Sequence, residues 1–317
     1  MKKKYIILFA LLLSILGYML YSKIQKDNWA KEPPEIKYSR ERIKQVWGGD
    51  IRGYNPALFY GTPLYDVAKA MSGLTYFRNE EKIEKLIDEI PKEYINYQEG
   101  NYGHTIGHFA LRTYNYSAIR KLLDKGLNPN IMDKGGDAII IDINSSTYSY
   151  KSPESLKTLK YMIQKGANVN LYSKKAQLGT PLIEASYSNF ENVKVLVEAG
   201  ANPHFIDEAT EYYDPFRTPL RAASVSKRIE IVNFLIFNQK VDFRKKHSLT
   251  SMFHPGEYEI LHDLRDMPFE LKTKNYQEKM KLVAYLKTQG LDYWKTSIPN
   301  HIKTNSHYNN KEYLSKY

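Results

Sequence analysis

His104 and His108 stand four residues apart in "GHTIGHFALR", a spacing that puts two imidazoles on one helix face, where they could ligate a divalent metal. A hydrolytic zinc site of that type also needs a carboxylate between the histidines and a third ligand. Thr105, Ile106 and Gly107 stand between them, and no third ligand is evident. His254 in "FHPGEYE" is a lone loop histidine, and His262 lies in "EILHDL". Carboxylates pair at Glu80-Glu81 and Asp207-Glu208, in polar stretches that read as solvated faces. Cysteine is absent, which removes thiolate nucleophiles, disulfides and Cys-ligated zinc. Neither a G-x-S-x-G elbow nor a Walker loop occurs. The chain therefore reads as a non-enzyme, with no catalytic residue, no metal site and no cofactor.

Charge narrows the partner class. The net charge of +11 is concentrated at the ends, with +5 in residues 1–26 and +3 in residues 295–317. A phosphate-tracking groove needs its basic residues on the folded body, so nucleic acid is not expected as a partner.

The first residues, "MKKKYIILFALLLSILGYMLYSK", carry three lysines and then 17 uncharged, mostly apolar residues from Tyr5 to Tyr21. As a helix that run spans roughly 25 Å, the short end of a transmembrane segment. Tyr5, Tyr18 and Tyr21 lie near its ends, where the headgroup zone favours aromatic rings. A cleavable leader is the alternative, but Tyr18-Met19-Leu20-Tyr21 occupies the place where small residues would stand. The expectation is a signal anchor over 1–22 and a linker over 23–50, broken by Pro33-Pro34. Lys2, Lys3 and Lys4 favour an N-terminus held in the cytoplasm, while Lys23, Lys26, Lys31, Lys37 and Arg40 oppose it.

The body is repetitive. "GTPLYDVAKA" begins at Gly61, "GHTIGHFALR" at Gly103, "GTPLIEASYS" at Gly179 and "RTPLRAASVS" at Arg217. Weaker copies are "AIIIDINSS" from Ala138 and "EILHDLRD" from Glu259. Their first positions, Thr62, Thr105, Ala138, Thr180, Thr218 and Glu259, are spaced by 43, 33, 42, 38 and 41 residues. A closing phrase recurs as "KLLDKGLNPN", "YMIQKGANVN", "VLVEAGANPH" and "AYLKTQGLDY", with a degraded "FLIFNQKVDF". Thr is a good N-cap and Pro suits the first helical position. Gly after the last turn closes a helix in the left-handed conformation, and Asn tolerates the turn that follows. The pattern reads as paired helices with loops between pairs.

These phrases resemble the ankyrin repeat, T-P-L-H-x-A near the start and L-L-x-x-G-A-x-x-N near the end. The resemblance spans about residues 51–294. It implies an all-α solenoid of about six helix-turn-helix units. It also gives His108 the role of the motif's helix-capping histidine. Residues 295–317, rich in Asn, Lys, Ser and Tyr, read as a flexible tail by composition.

Departures from the 33-residue unit mark insertions. "SSTYSYKSPES" separates two paired helices, "LYSKKAQ" tips one finger loop, and "HFIDEATEYYDPF" lengthens the next. Insertions into repeat arrays map to loops and often to a binding face. The candidate partner-binding residues are Tyr148, Tyr150, Lys174, Lys175, Glu211, Tyr212, Tyr213, Asp214 and Phe216. The whole layout resembles short bacterial ankyrin proteins with a signal anchor, many of which are immunity proteins. That resemblance implies a body facing the periplasm from the bacterial inner membrane. Its partner would be another protein, a secreted effector toxin such as a lipase. The alternative is an envelope scaffold for a periplasmic enzyme.

Overall fold

The computed structural model describes residues 14–25, 27–28, 53–72, 78–149, 152–175, 178–207, 217–244 and 259–317. The chain divides into two compact units, 1–135 and 136–317. The described residues are helical apart from turns, loops and one isolated bridge, Asp207 to Arg217.

In the first unit, residues 14–25 and 27–28 are helical, and Leu16, Tyr18, Met19, Leu20 and Tyr21 are exposed. Among the described residues no helix is long and apolar enough to cross a membrane. Residues 5–13 of the apolar run lie outside the described residues. Two helix pairs follow, α1 (Tyr65–Met71) with α2 (Glu80–Asp88) and α3 (Ile106–Arg112) with α4 (Tyr116–Asp124). First helices pack on first helices and second on second, α1 on α3 and α2 on α4. Phe59 and Phe109 meet edge to face at 5.7 Å inside this core.

The second unit continues with α5 (Ile139–Asp142), α6 (Ser146–Ser149) and α7 (Pro153–Gln164). Then come α8 (Pro181–Ser186) with α9 (Phe190–Glu198), α10 (Pro219–Val225) with α11 (Ile229–Asn233), and α12 (Glu259–Arg265) with α13 (Lys274–Thr288). α14 (Asn300–Thr304) and α15 (Lys311–Lys316) complete it. Here too the helices form two rows, α5–α8–α10–α12 and α7–α9–α11–α13. Each short helix buries its apolar face against its pair-mate and against the neighbouring pairs, as stacked repeats require.

Thr105, Thr180 and Thr218 each accept a backbone N–H three residues on, at 3.4, 3.3 and 3.0 Å. Thr62 departs from this expectation. Its hydroxyl donates to the Phe59 carbonyl and accepts from Leu64 N–H, and the helix starts only at Tyr65. Ala138 has no hydroxyl to cap with, and its helix is only four residues long.

The closing glycines Gly126, Gly166, Gly200 and Gly290 all adopt positive φ, between 83° and 98°. In the degraded copy Lys240 holds the same place at φ 55°. A π turn over Phe234–Asn238 precedes it, so the closing bond from Val241 N–H reaches back six residues to Leu235. Elsewhere the same bond reaches back five, as from Ala201 to Leu196.

Asparagines set the step between pairs. Asn170 Nδ2 donates to the Gly200 carbonyl at 2.9 Å, and Asn170 Oδ1 accepts Asn202 N–H at 2.7 Å. Asn96 makes the same two bonds to Gly126 and Asn128 in the first unit. This identifies "LIDEIPKEYIN" as the first closing phrase, a copy without glycine that the repeat pattern leaves unrecognised.

The tail is the clear correction. Residues 295–317 read as flexible from their Asn/Lys/Ser composition. The structure instead forms α14 and α15 and buries Ile302, Tyr313 and Tyr317 together, with Leu271 and Ile298 packed against them. A few well-spaced aromatic and aliphatic side chains suffice when a neighbouring surface is there to receive them.

Candidate partner-binding pocket

The insertion "SSTYSYKSPES" follows α5, a helix of four residues. α5 is apolar except for Asp142, with Ile139, Ile140 and Ile141 buried and Ile143 buried just after it. Asn144 ends it by donating to the Ile140 carbonyl and accepting Asn192 Nδ2 at 2.9 Å, which ties this corner to α9. The inserted α6 follows at once, and Ser152 with Pro153 opens α7.

Between α5, α6 and α8 lies a cavity of about 380 Å³. Asp137, Asp142 and Glu184 bring three carboxylates to its wall, and Tyr148 and Tyr187 bring two phenols. Glu184 is only 5% exposed, and one carboxylate oxygen accepts Gly179 N–H at 2.8 Å. Burial raises the Glu184 pKa, the Gly179 N–H and the Arg217 charge pull it back, and Asp137 pushes it up further. Such a wall disfavours its own negative charge and favours a cation brought to it. Among the described residues no group of His, Asp or Glu is arranged to hold a metal ion.

The adjoining fingers are locked at their base. Asp207, its side chain fully buried, receives Arg217 Nη2 at 2.7 Å and Nε at 3.1 Å, and the Tyr172 hydroxyl at 2.5 Å. Their backbones pair in both directions, Asp207 N–H to Arg217 and Arg217 N–H to Asp207. Burial first, then the bond and charge of Asp207, push Tyr172 up to about 12. Tyr172 also packs on Phe205 at 4.9 Å.

Of the residues expected from sequence, Tyr148 lines the cavity and is half-buried. Lys174 and Lys175 are exposed on the shorter finger and do not line it, although Leu178 of the same loop does. Tyr150, Glu211, Tyr212, Tyr213, Asp214 and Phe216 lie outside the described residues. The acidic wall was missed. Its signal was present, since Asp142 and Glu184 occupy the same repeat position, where Ala222 stands in a later copy. A carboxylate inside a phrase as apolar as "AIIIDI" is costly to bury and marks a site.

The two close histidines are structural. His108 Nδ1 accepts Thr105 N–H at 3.1 Å and completes a capping box with the Thr105 hydroxyl. His104 Nε2 lies 3.2 Å from Asp133 Oδ2, and its ring is stacked between Tyr102 and His108.

Residues 149–247 match the family model for ankyrin repeats in three copies. A 130-residue stretch, 41% of this chain, is 32% identical to a putative E3 ubiquitin-protein ligase of Arabidopsis thaliana. A 91-residue stretch, 28% of this chain, is 34% identical to a putative ankyrin repeat protein of Acanthamoeba polyphaga mimivirus. The matches cover 23% and 53% of those relatives, so the chain spans about a quarter and about half of their lengths.

Proposed function

We propose that this ankyrin-repeat chain is a non-catalytic protein-binding module that seats a basic side chain of its partner in the cavity beside α6. The observation that carries the reading is the coincidence of an insertion with an acidic, tyrosine-rimmed cavity. Lysine or arginine fits it, since two aromatic rings and three carboxylates offer both cation–π and ionic contacts. The fingers beside it, braced by Tyr172, Asp207 and Arg217, supply further contact surface.

The finer reading is a membrane-anchored inhibitor of a secreted effector toxin. The helix over 14–25 supports the anchor, because its apolar side chains face outward rather than into a core. The body then faces the periplasm of a bacterial inner membrane.

The test is capture of the partner with the full chain from membranes, followed by titration against wild type, Asp142→Asn and Tyr148→Ala. Weakening of at least about tenfold in both variants is expected, equal to roughly 1.4 kcal/mol. Unchanged affinity in both would remove the cavity from the interface. Protection of cells against the captured protein's toxicity separates the inhibitor from a scaffold.

A further inference from the structure

Glu184 leaves one polar atom unused in the wall of the cavity beside α6. The residue is 5% exposed, and Gly179 N–H takes one carboxylate oxygen at 2.8 Å. The other oxygen has no hydrogen-bond partner among the described residues. An acceptor so deeply placed calls for a donor from outside the chain. Arg217 bears on Glu184 through its charge, but its guanidinium donates to Asp207, through Nη2 at 2.7 Å and Nε at 3.1 Å. No Lys, Arg or His among the described residues lines the cavity.

The layout of the wall narrows the donor. Asp137 is near enough for its charge to act on Glu184, and Asp142, 6% exposed, faces the same space. The three carboxylates do not converge on one point, since no group of His, Asp or Glu among the described residues is arranged to hold a metal ion. A single point charge cannot meet all of them, whereas two charges set apart on one molecule can. The volume, about 380 Å³, is that of a small-molecule site, a class that runs from roughly 300 to 1,000 Å³. Tyr148 and Tyr187 add ring faces, against which methylenes pack and ammoniums are attracted.

We infer that the cavity is a site for a free alkyl diamine, with one ammonium between Asp137 and Glu184, the other on Asp142, and the methylenes against the two phenol rings. The inference rests on the reading of this cavity as a cation site. A partner's lysine brings the same chemistry with one ammonium instead of two. Alkyl amines keep their protons at neutral pH, so the diamine arrives as a dication. The chain's net charge of +11 opposes unspecific uptake of such a molecule, so its binding reports a local site.

Calorimetric titration of the full chain with cadaverine tests this, with pentylamine, the same alkyl chain bearing one amine, as the control. Cadaverine is expected to bind saturably at one site per chain, at least about tenfold more tightly than pentylamine. Asp142→Asn and Glu184→Gln, each checked for cooperative urea unfolding, are expected to weaken cadaverine at least about tenfold. Absence of saturable binding, equal affinity for the two amines, or unchanged affinity in either folded variant overturns the inference. The comparison of the two amines needs no variant, so it decides the matter even if neither variant folds. Titration of the captured partner against Asp142→Asn separates this inference from the proposed function. A partner weakened by that change while cadaverine fails to bind removes the diamine and leaves the protein contact standing; cadaverine bound while the partner is unaffected does the reverse.

Discussion

Replacing Glu184 by Gln keeps the side chain's shape and an acceptor for Gly179 N–H, and removes only the charge. The carboxyl is buried, and burial is the largest influence raising its pKa. An acid held above its ordinary value gives its full stabilisation below the unfolded pKa, about 4.3, and loses it as pH rises through the folded value. Glu184→Gln should therefore match the parent near pH 4. Above that it should gain on the parent by up to about 1.4 kcal/mol per pH unit, until the folded carboxyl has titrated. Partner binding changes in the opposite sense. Removing one member of a buried charge pair costs about 2–5 kcal/mol, or roughly 30- to 5,000-fold in Kd. Urea unfolding from pH 4.5 to 7.5 measures the first effect and calorimetric titration with the captured partner the second. A variant less stable than the parent at pH 7.5 would mean that the pull of Arg217 and Gly179 outweighs burial. Unchanged affinity would mean that the carboxylate meets no cation. Either result refutes the reasoning.

Arg217→Met should cost about 3–5 kcal/mol in urea unfolding, because it leaves the fully buried Asp207 carboxylate without its counter-charge; a loss under about 1 kcal/mol would place the pair with exposed ones. Lys240→Gly should stabilise by about 0.5–1 kcal/mol, since relief of a left-handed lysine, worth about 1–2 kcal/mol, exceeds the added entropy of the unfolded chain. The urea midpoint should rise, and a fall would show that the exposed bond from Lys240 Nζ to the Phe237 carbonyl matters more than the backbone. Asn170→Ala should cost about 1–2 kcal/mol for two inter-repeat hydrogen bonds and speed amide exchange at Asn202, whose N–H loses its acceptor.

Periodicity made the repeat legible. Thr at the cap, Pro at the first turn and Gly after the last are local requirements of single helices, so they survive as a readable pattern at Thr180, Pro181 and Gly200. Where a copy lost those residues, neighbours supplied the geometry instead. The Asn96 side chain registers a pair that has no closing glycine. A π turn adds the residue that lets Lys240 close α11. The tail failed to announce itself because Tyr313 and Tyr317 are ordinary residues in a polar segment until α12 and α13 present Arg265 and Lys279 beneath them.

The candidate site divides along the same line. By itself the sequence determined where the array is stretched, because an insertion is a count of residues against a fixed period, and it placed Tyr148 in one. Only the tertiary structure decided what that insertion faces. Asp137 and Asp142 come from α5 and its entry, Glu184 and Tyr187 from α8 and its exit, more than 40 residues on, and they share a cavity because α5 and α8 stack in one row. Stacking is a property of adjacent repeats rather than of any one of them. The chemistry of the wall therefore belongs to the packing, while the periodic phrase belongs to the chain.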